Sequence, residues 1–334
     1  MESSRATSGS RRARRRGRPR RRALLYVCLA TVAVVGVTAA GTVYVKAHAR
    51  ENAVSSAPSP SPSSSASARE EASVEPVTEP AVDRDALLSS AMGKVTVPSG
   101  AKVSAAVLDL DSGDSAVYGD AAFDTASIVK VDILATLLLQ AQDAGRHLTA
   151  TEKAYATKMI ENSDNTSASE LWDVIGKASG LDAANKRFGL TGTQGGDGAL
   201  WGLTQTTAAD QLTLLQQVFG EDSKLSEASR AYLQGLMKTV ESDQRWGISA
   251  AADGSAFALK NGWLARSTTG LWDVNSIGRV TVAGTDYLVA VLSKGTVSQA
   301  KGISLVEAAA KAAVGSFTGA DASASASASA SASQ

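Results

Sequence analysis

The central part of this 334-residue chain predicts an α+β domain. Three patterns carry that reading. An apolar strand–turn–strand comes early, a helical stretch fills the middle, and a run of strand patterns precedes a last helix. Early and late strands then share one sheet, closed by the N- and C-terminal segments of the domain.

The elements follow in order. Lys102–Leu110 (KVSAAVLDL) reads as a strand, and Asp111-Ser112-Gly113-Asp114 as a turn into Ser115–Tyr118. Ser127–Ala144 carries an apolar stripe at Ile128, Val131, Leu134 and Leu138, the spacing of one helix face. Thr149 with Glu152 three residues on is a capping box, opening a helix to about Glu161. Helices are also expected over 166–177, 182–188, 207–219 and 226–240. Strands are expected over 257–264, 271–277, 279–283 and 287–293, and a last helix over 303–314.

The 33 basic and 33 acidic side chains cancel, which argues against a basic nucleic-acid binder. The cancellation is local in origin. Residues 1–22 hold ten arginines and one acid, a charge of +9, leaving −9 for the rest. Ala23–Val45 follows with no charged residue in 23 positions, long enough as a helix to cross a bilayer. The arginine block is then expected to stay cytoplasmic, with the remainder of a single-pass cell-membrane protein outside. Cleavage after an A-x-A-like Ala47-His48-Ala49, giving a secreted protein, is the alternative. Residues 46–82 form a Ser/Pro/Ala-rich linker, and 319–334 an Ala-Ser tail expected to be disordered. The domain itself spans 83–318. Cys28 is the only cysteine, so neither an intrachain disulfide nor a Cys-based zinc site can form.

Three short motifs stand in order within the domain. Ser127-Ile128-Val129-Lys130 is S-x-x-K, Ser163-Asp164-Asn165 is S-D-N, and Lys260-Asn261-Gly262 is K-x-G. The S-x-x-K pattern also occurs at Ser99/Lys102 and Ser298/Lys301, but only Ser127 opens an apolar helix ahead of the other two motifs. At i and i+3 on a helix, Ser127 and Lys130 share one face. A lysine amine serves as a base if burial brings its pKa toward neutrality. A serine at a helix start also has a backbone N–H free to face a developing oxyanion. These residues could therefore form an activated serine without histidine, and no Ser-His-Asp triad is expected on His147.

Together the motifs resemble the class A β-lactamases and penicillin-binding serine hydrolases, over about residues 83–314. The resemblance implies an antiparallel sheet packed by terminal helices, plus an all-helical subdomain, with the site between them. It implies acyl transfer through an acyl-Ser127 intermediate on a β-lactam amide or a related peptidoglycan peptide, with no cofactor and no metal, in a monomeric ectodomain. Lys130 would be the base partner and Ser163 the proton relay to the leaving nitrogen. Asn165 would bind the substrate's side-chain amide, and Lys260 would supply positive charge near its carboxylate. Gly262 completes the third motif, and the amides of Ser127 and Trp263 would form the oxyanion hole.

Three departures from the family pattern matter. Asn261 replaces the usual Thr or Ser and is expected to face the substrate strand. The short interval from Ser127 to Ser163 implies a missing helical segment and a more open cleft. No E-x-x-x-N motif follows Asn165, so the glutamate that activates the deacylating water is absent and deacylation should be slow. The corresponding stretch, 191–203 (TGTQGGDGALWGL), offers only Asp197, which reads more simply as an Asp-Gly turn. The match of Glu161 and Asn165 to the pattern is taken as chance. Arg266 and Arg279 are candidates to pair with a substrate carboxylate, or solvated strand ends. Trp201, Trp246, Trp263 and Trp272 could line the cleft or pack as core. Rival readings are a D-alanyl-D-alanine peptidase and a β-lactam or cell-wall sensor acylated once.

Overall fold

The computed structural model describes residues 82–331. The arginine segment, the apolar span and the linker up to residue 81 lie outside the described residues. No helix among the described residues is long and apolar enough to cross a membrane.

Five strands build one antiparallel sheet in the order β2-β1-β7-β6-β5. They are β1 (Lys102–Asp109), β2 (Ser115–Tyr118), β5 (Phe257–Ala265), β6 (Trp272–Val282) and β7 (Thr285–Thr296). The first strand pairs with the last over its whole length, from Lys102↔Lys294 to Asp109↔Tyr287, so the sheet closes the chain on itself. Two-residue strands β3 (Phe123–Asp124) and β4 (Gln205–Thr206) form a small separate ladder.

Period-two alternation explains the apolar runs in β1 and β7, because the sheet is covered on both faces. Ala106, Leu108, Leu288, Ala290 and Leu292 face the helical subdomain. Ala105, Val107, Tyr287, Val289 and Val291 face the opposite layer. That layer consists of α1 (Arg84–Met92) and α8 (Gln299–Ser331), with Leu88, Val306, Ala310 and Phe317 packed against the sheet.

The helical side is organised around α2 (Val129–Asp143), which is buried on nearly every face. Around it lie α3 (Ala150–Glu161), α4 (Asn165–Val174), α5 (Lys177–Phe188), α6 (Ala208–Phe219) and α7 (Glu227–Lys238). The capping box at Thr149/Glu152 forms as expected, with both reciprocal bonds present. Only residues 144–149 join α2 to α3, so the shortened interval between the first two motifs holds a single helix, α3, between α2 and α4.

Three expectations need correction, and one helix was not expected. The strands expected at 271–277 and 279–283 are one strand, β6. Gly278 does not break it but lets it lie against β5, where an added Cβ would come within 2.1 Å of the Ala258 carbonyl oxygen. The helix expected at 182–188 begins at Lys177, just after Gly176 in the left-handed conformation. Helix α1 has no clear sequence periodicity of its own; it is held by Leu88 and Met92 against the sheet layer. The last helix continues to Ser331, through the repeat expected to be disordered. Alanine is the strongest helix former, and extending a docked helix needs no new nucleus.

Candidate active site

Ser127 lies on a 3-10 turn, Ala126–Ile128, that feeds directly into α2. The turn is tight: Ala126 takes a φ of 47°, in the left-handed region. It is pinned from the sheet by Asn275 on β6, fully buried, whose Nδ2 donates to the carbonyls of Asp124 (2.9 Å) and Thr125 (3.0 Å). The Asn275 Oδ1 accepts in turn from the Ser293 amide at 3.0 Å, so the side chain's orientation is fixed. From the other side, the Thr125 amide donates to the Thr204 carbonyl at 2.9 Å.

Strand β5 passes against this turn at Gly262. A Cβ there would sit 2.8 Å from the amide nitrogens of both Ser127 and Ile128. Only glycine permits that approach, and the peptide leading to Trp263 starts from the same contact. The Ser127 amide, one of the two expected in the oxyanion hole, therefore lies against the residue that precedes the other.

In the first turn of α2, Lys130 is completely buried. Its Nζ donates to the Ser163 carbonyl (2.5 Å), the Ser163 Oγ (3.0 Å) and the Asn165 Oδ1 (2.8 Å). Among the described residues it makes no hydrogen bond to the Ser127 Oγ. Ser163 reaches Lys130 because it occupies the sharp link between α3 and α4 with φ 56°, while Asp164 caps α4 through the Ser167 amide at 2.7 Å. Lys260, fully buried on β5, donates to the same Ser163 Oγ at 3.0 Å and to the Asn261 carbonyl at 2.9 Å.

Burial dominates the electrostatics of both lysines. It lowers the Lys130 pKa to about 7, with Asp164 acting in the opposite direction. Burial, then the nearby Lys130 charge, holds Lys260 well below the ordinary lysine range. The Ser163 hydroxyl accepts from both amines, which leaves its own proton as the group free to be donated.

The structure thus brings together Ser127, Lys130, Ser163, Asn165, Lys260, Gly262 and Trp263 from three distant parts of the chain. Asn261 is the exception. Its side chain is buried and turned from the cleft, donating to the carbonyls of Gln244 (2.7 Å) and Trp246 (2.9 Å). The expectation that it faces substrate is corrected: an amide at this position ties the 244–246 segment to β5. Trp246, so held, packs on Trp263 with centroids 5.8 Å apart.

The arginine candidates are also engaged elsewhere. Arg266 pairs with Asp124, and Arg279 with Asp286 at 2.9 Å. Glu161 accepts from the Thr239 hydroxyl at 2.6 Å, binding α3 to the end of α7, so its fit to an E-x-x-x-N pattern is incidental. His147 lies in the link after α2, beside the Arg146–Glu152 ion pair.

The glycine-rich loop before β4 is anchored at several points. The Gly192 amide donates to Asp210 (2.8 Å), the Gly195 amide to Asp182 (2.7 Å), and the Trp172 indole to the Gly198 carbonyl (2.8 Å). Asp197 is exposed at its tip. The loop's contribution to the site is instead Trp201, whose ring centroid lies 5.0 Å from the Lys130 Nζ. Sequence periodicity could not separate this tryptophan from the core tryptophans, because its partner is 71 positions away. A cleft of about 600 Å³ opens between Trp201, Leu200 and Leu203 on one side and Leu264 and Arg266 on the other. A larger groove, about 780 Å³, lies between α1 and α8 and contains no motif residue. No group of His, Cys, Asp or Glu among the described residues could hold a metal ion.

A central sheet with terminal helices behind it, a helical subdomain in front and these motifs between them defines the β-lactamase-like serine hydrolase fold. The family model of the beta-lactamase enzyme family matches residues 146–317, half of the chain, and the chain belongs to that family. No curated protein matches the sequence. Among solved structures, the chain is similar to PBP-A, at 22% identity and a TM-score of 0.60, over 70% of this chain and 96% of that one. A PBP-A mutant solved as an acyl-enzyme complex with penicillin G matches at 22% identity and a TM-score of 0.59, with the same coverage. A beta-lactamase from Xanthomonas campestris pv. campestris matches at 21% identity and a TM-score of 0.56, over 70% of this chain and 98% of that one.

Proposed function

We propose that this protein is a serine acyl-transfer enzyme. β-Lactam amides or the related D-alanyl-D-alanine peptides of peptidoglycan acylate it at Ser127, and it releases the acyl group slowly. The observation that carries the reading is the Ser163 hydroxyl, held at 3.0 Å by both Lys130 and Lys260 beside the Ser127 turn. In its neutral form Lys130 takes the Ser127 proton as Oγ attacks the amide carbonyl, and the Ser127 and Trp263 amides hold the oxyanion. Ser163 gives its proton to the departing nitrogen and regains one from the lysine pair. Burial and the Lys130 charge disfavour the charged form of Lys260, and a substrate carboxylate would favour it. The Asn165 Nδ2 stays available to the substrate, since only its Oδ1 is engaged by Lys130.

Slow release is supported by the glycine-rich loop, which offers Trp201 rather than a carboxylate to Lys130. The same feature favours the peptidase reading over efficient β-lactam hydrolysis, as does the fold's likeness to a PBP-A form solved acylated by penicillin G. The arginine block and the uncharged run that follows it support a position outside the cell membrane, where such substrates occur.

The test is to incubate the full chain with a fluorescent penicillin and follow the label with time. A label that forms and persists for many minutes, and is lost in Ser127→Ala, is the expected result. Equal labelling of Ser127→Ala would overturn the assignment, and rapid loss of label would overturn slow release. Release of D-alanine from a D-Ala-D-Ala peptide then separates a peptidase from a sensor.

A further inference from the structure

Lys130 is enclosed from two directions. The S-D-N loop supplies its hydrogen-bond acceptors, and the Trp201 ring lies over Nζ at 5.0 Å. We propose that Trp201 is a positioning residue for acylation: its indole seals the Lys130 amine from water, and this seal keeps the amine able to accept the Ser127 proton. The proposal rests on the acyl-serine reading above and extends it to a residue outside the three motifs.

The loop is built to hold this ring in place. The indole Nε1 donates to the Ser169 Oγ at 3.2 Å, tying the ring to α4. The Leu200 amide donates to the Asp197 carbonyl (2.9 Å) and the Thr204 amide to the Trp201 carbonyl (3.1 Å), so Trp201 sits on a closed 3-10 turn. Gly196 makes that closure possible, since a Cβ there would lie 2.1 Å from the Leu200 carbonyl oxygen. Thr204 then joins the turn to Thr125, two residues before Ser127. One short loop therefore fixes both the nucleophile turn and the cover over its base.

Two opposing effects act between the ring and the amine. The indole face attracts the charged ammonium, an effect of roughly tenfold on the proton equilibrium. Excluding water disfavours the charged form by up to roughly a thousandfold or more for a buried lysine. Exclusion wins. The charged groups facing Lys130 are Asp164 at the head of α4, which favours its protonation, and Lys260 on β5, which shares the Ser163 hydroxyl. The loop itself places no carboxylate on Lys130; what it contributes there is the indole.

The test measures the acylation rate of the full chain by fluorescent penicillin from about pH 5.5 to 9.5. In Trp201→Ala the midpoint of the rising limb should move up by about one pH unit, slowing acylation about fivefold at pH 7, about tenfold at pH 5.5 and little at pH 9.5. Trp201→Phe, which keeps an apolar cover, should retain the parent midpoint. An unmoved or more acidic midpoint in Trp201→Ala overturns the proposal, because a merely structural loss lowers the rate at every pH alike. If Trp201→Ala does not fold, Trp201→Leu and Trp201→Gln replace it. Leu should keep the parent midpoint and Gln should raise it, and equal midpoints overturn the proposal. A parent chain that takes no label at any pH overturns the acyl-serine reading itself, an outcome distinct from an unmoved midpoint.

Discussion

Lys130 and Lys260 donate to one acceptor, the Ser163 Oγ, each at 3.0 Å. Two amines that close, both fully buried, are poorly able to be charged together. Burial lowers the proton affinity of both, and the Lys130 charge lowers that of Lys260 further. The arrangement is costly for the fold and useful for chemistry, since it yields a neutral amine beside a serine at ordinary pH.

The cost predicts a stability change. The Lys130 pKa is about 7 in the folded protein against 10.5 for an ordinary lysine. Below pH 7 both states are protonated and the folded state bears the full penalty. Between 7 and 10.5 the unfolded state binds more protons, so the parent gains stability as pH rises. Lys130→Met should remove this slope, leaving the variant at or above the parent's Tm at pH 6.5 and with no such advantage at pH 9.5. Acylation should fall by about three orders of magnitude. Thermal melts at the two pH values and the penicillin label check both outcomes.

Gly262 predicts a different failure. In Gly262→Ala the new Cβ meets two backbone amides and the Thr125 carbonyl oxygen, all at 2.8 Å, and backbone cannot swing aside as a side chain can. Strand and turn must separate. We expect a loss of about 1–3 kcal/mol in denaturant unfolding and about a hundredfold or more in acylation rate, the scale of losing an oxyanion donor. Acylation that stays within a few-fold of the parent would show that β5 does not complete the oxyanion hole.

A buried acid away from the site predicts a third. Asp132 on α2 accepts from the Asn185 Nδ2 at 3.0 Å, and its other oxygen has no partner. Burial raises its pKa to about 7, and the nearby Asp182 and Asp210 add to the rise while Asn185 opposes it. With a folded value near 7 and an ordinary value of 3.8, the folded state holds the extra proton between those limits. Parent stability therefore falls as pH climbs through that window. Asp132→Asn keeps an acceptor for Asn185 and removes the charge. Its advantage in urea unfolding should grow from pH 5 to pH 8, reaching the order of a few kcal/mol. An equal difference at both values would mean that Asp132 is ionised in the folded state.

Much of the fold could be read from the chain because its signals are local. The stripe of α2, the Thr149 capping box and the apolar runs of β1 and β7 are each written in a few neighbouring residues. Where the reading failed, the cause was tertiary. Gly278 has the composition of a break and the packing of a close strand contact. Helix α1 has little amphipathic pattern and is held by the layer it joins.

The same division runs through the site. The sequence by itself determined the order of the three motifs and the presence of Ser127 and Lys130 on one helix face. It also determined the absence of an E-x-x-x-N motif after the S-D-N loop. Only the tertiary structure decided that Lys130 turns to Ser163 across 33 positions, and that Lys260 reaches the same hydroxyl across 97. It alone turned Asn261 away toward Gln244 and Trp246, and set Trp201 over the base. Sequence periods specify which face of an element is apolar. They carry no information on which distant group meets that face, and it is that meeting, with the water it excludes, that sets the chemistry of a buried lysine.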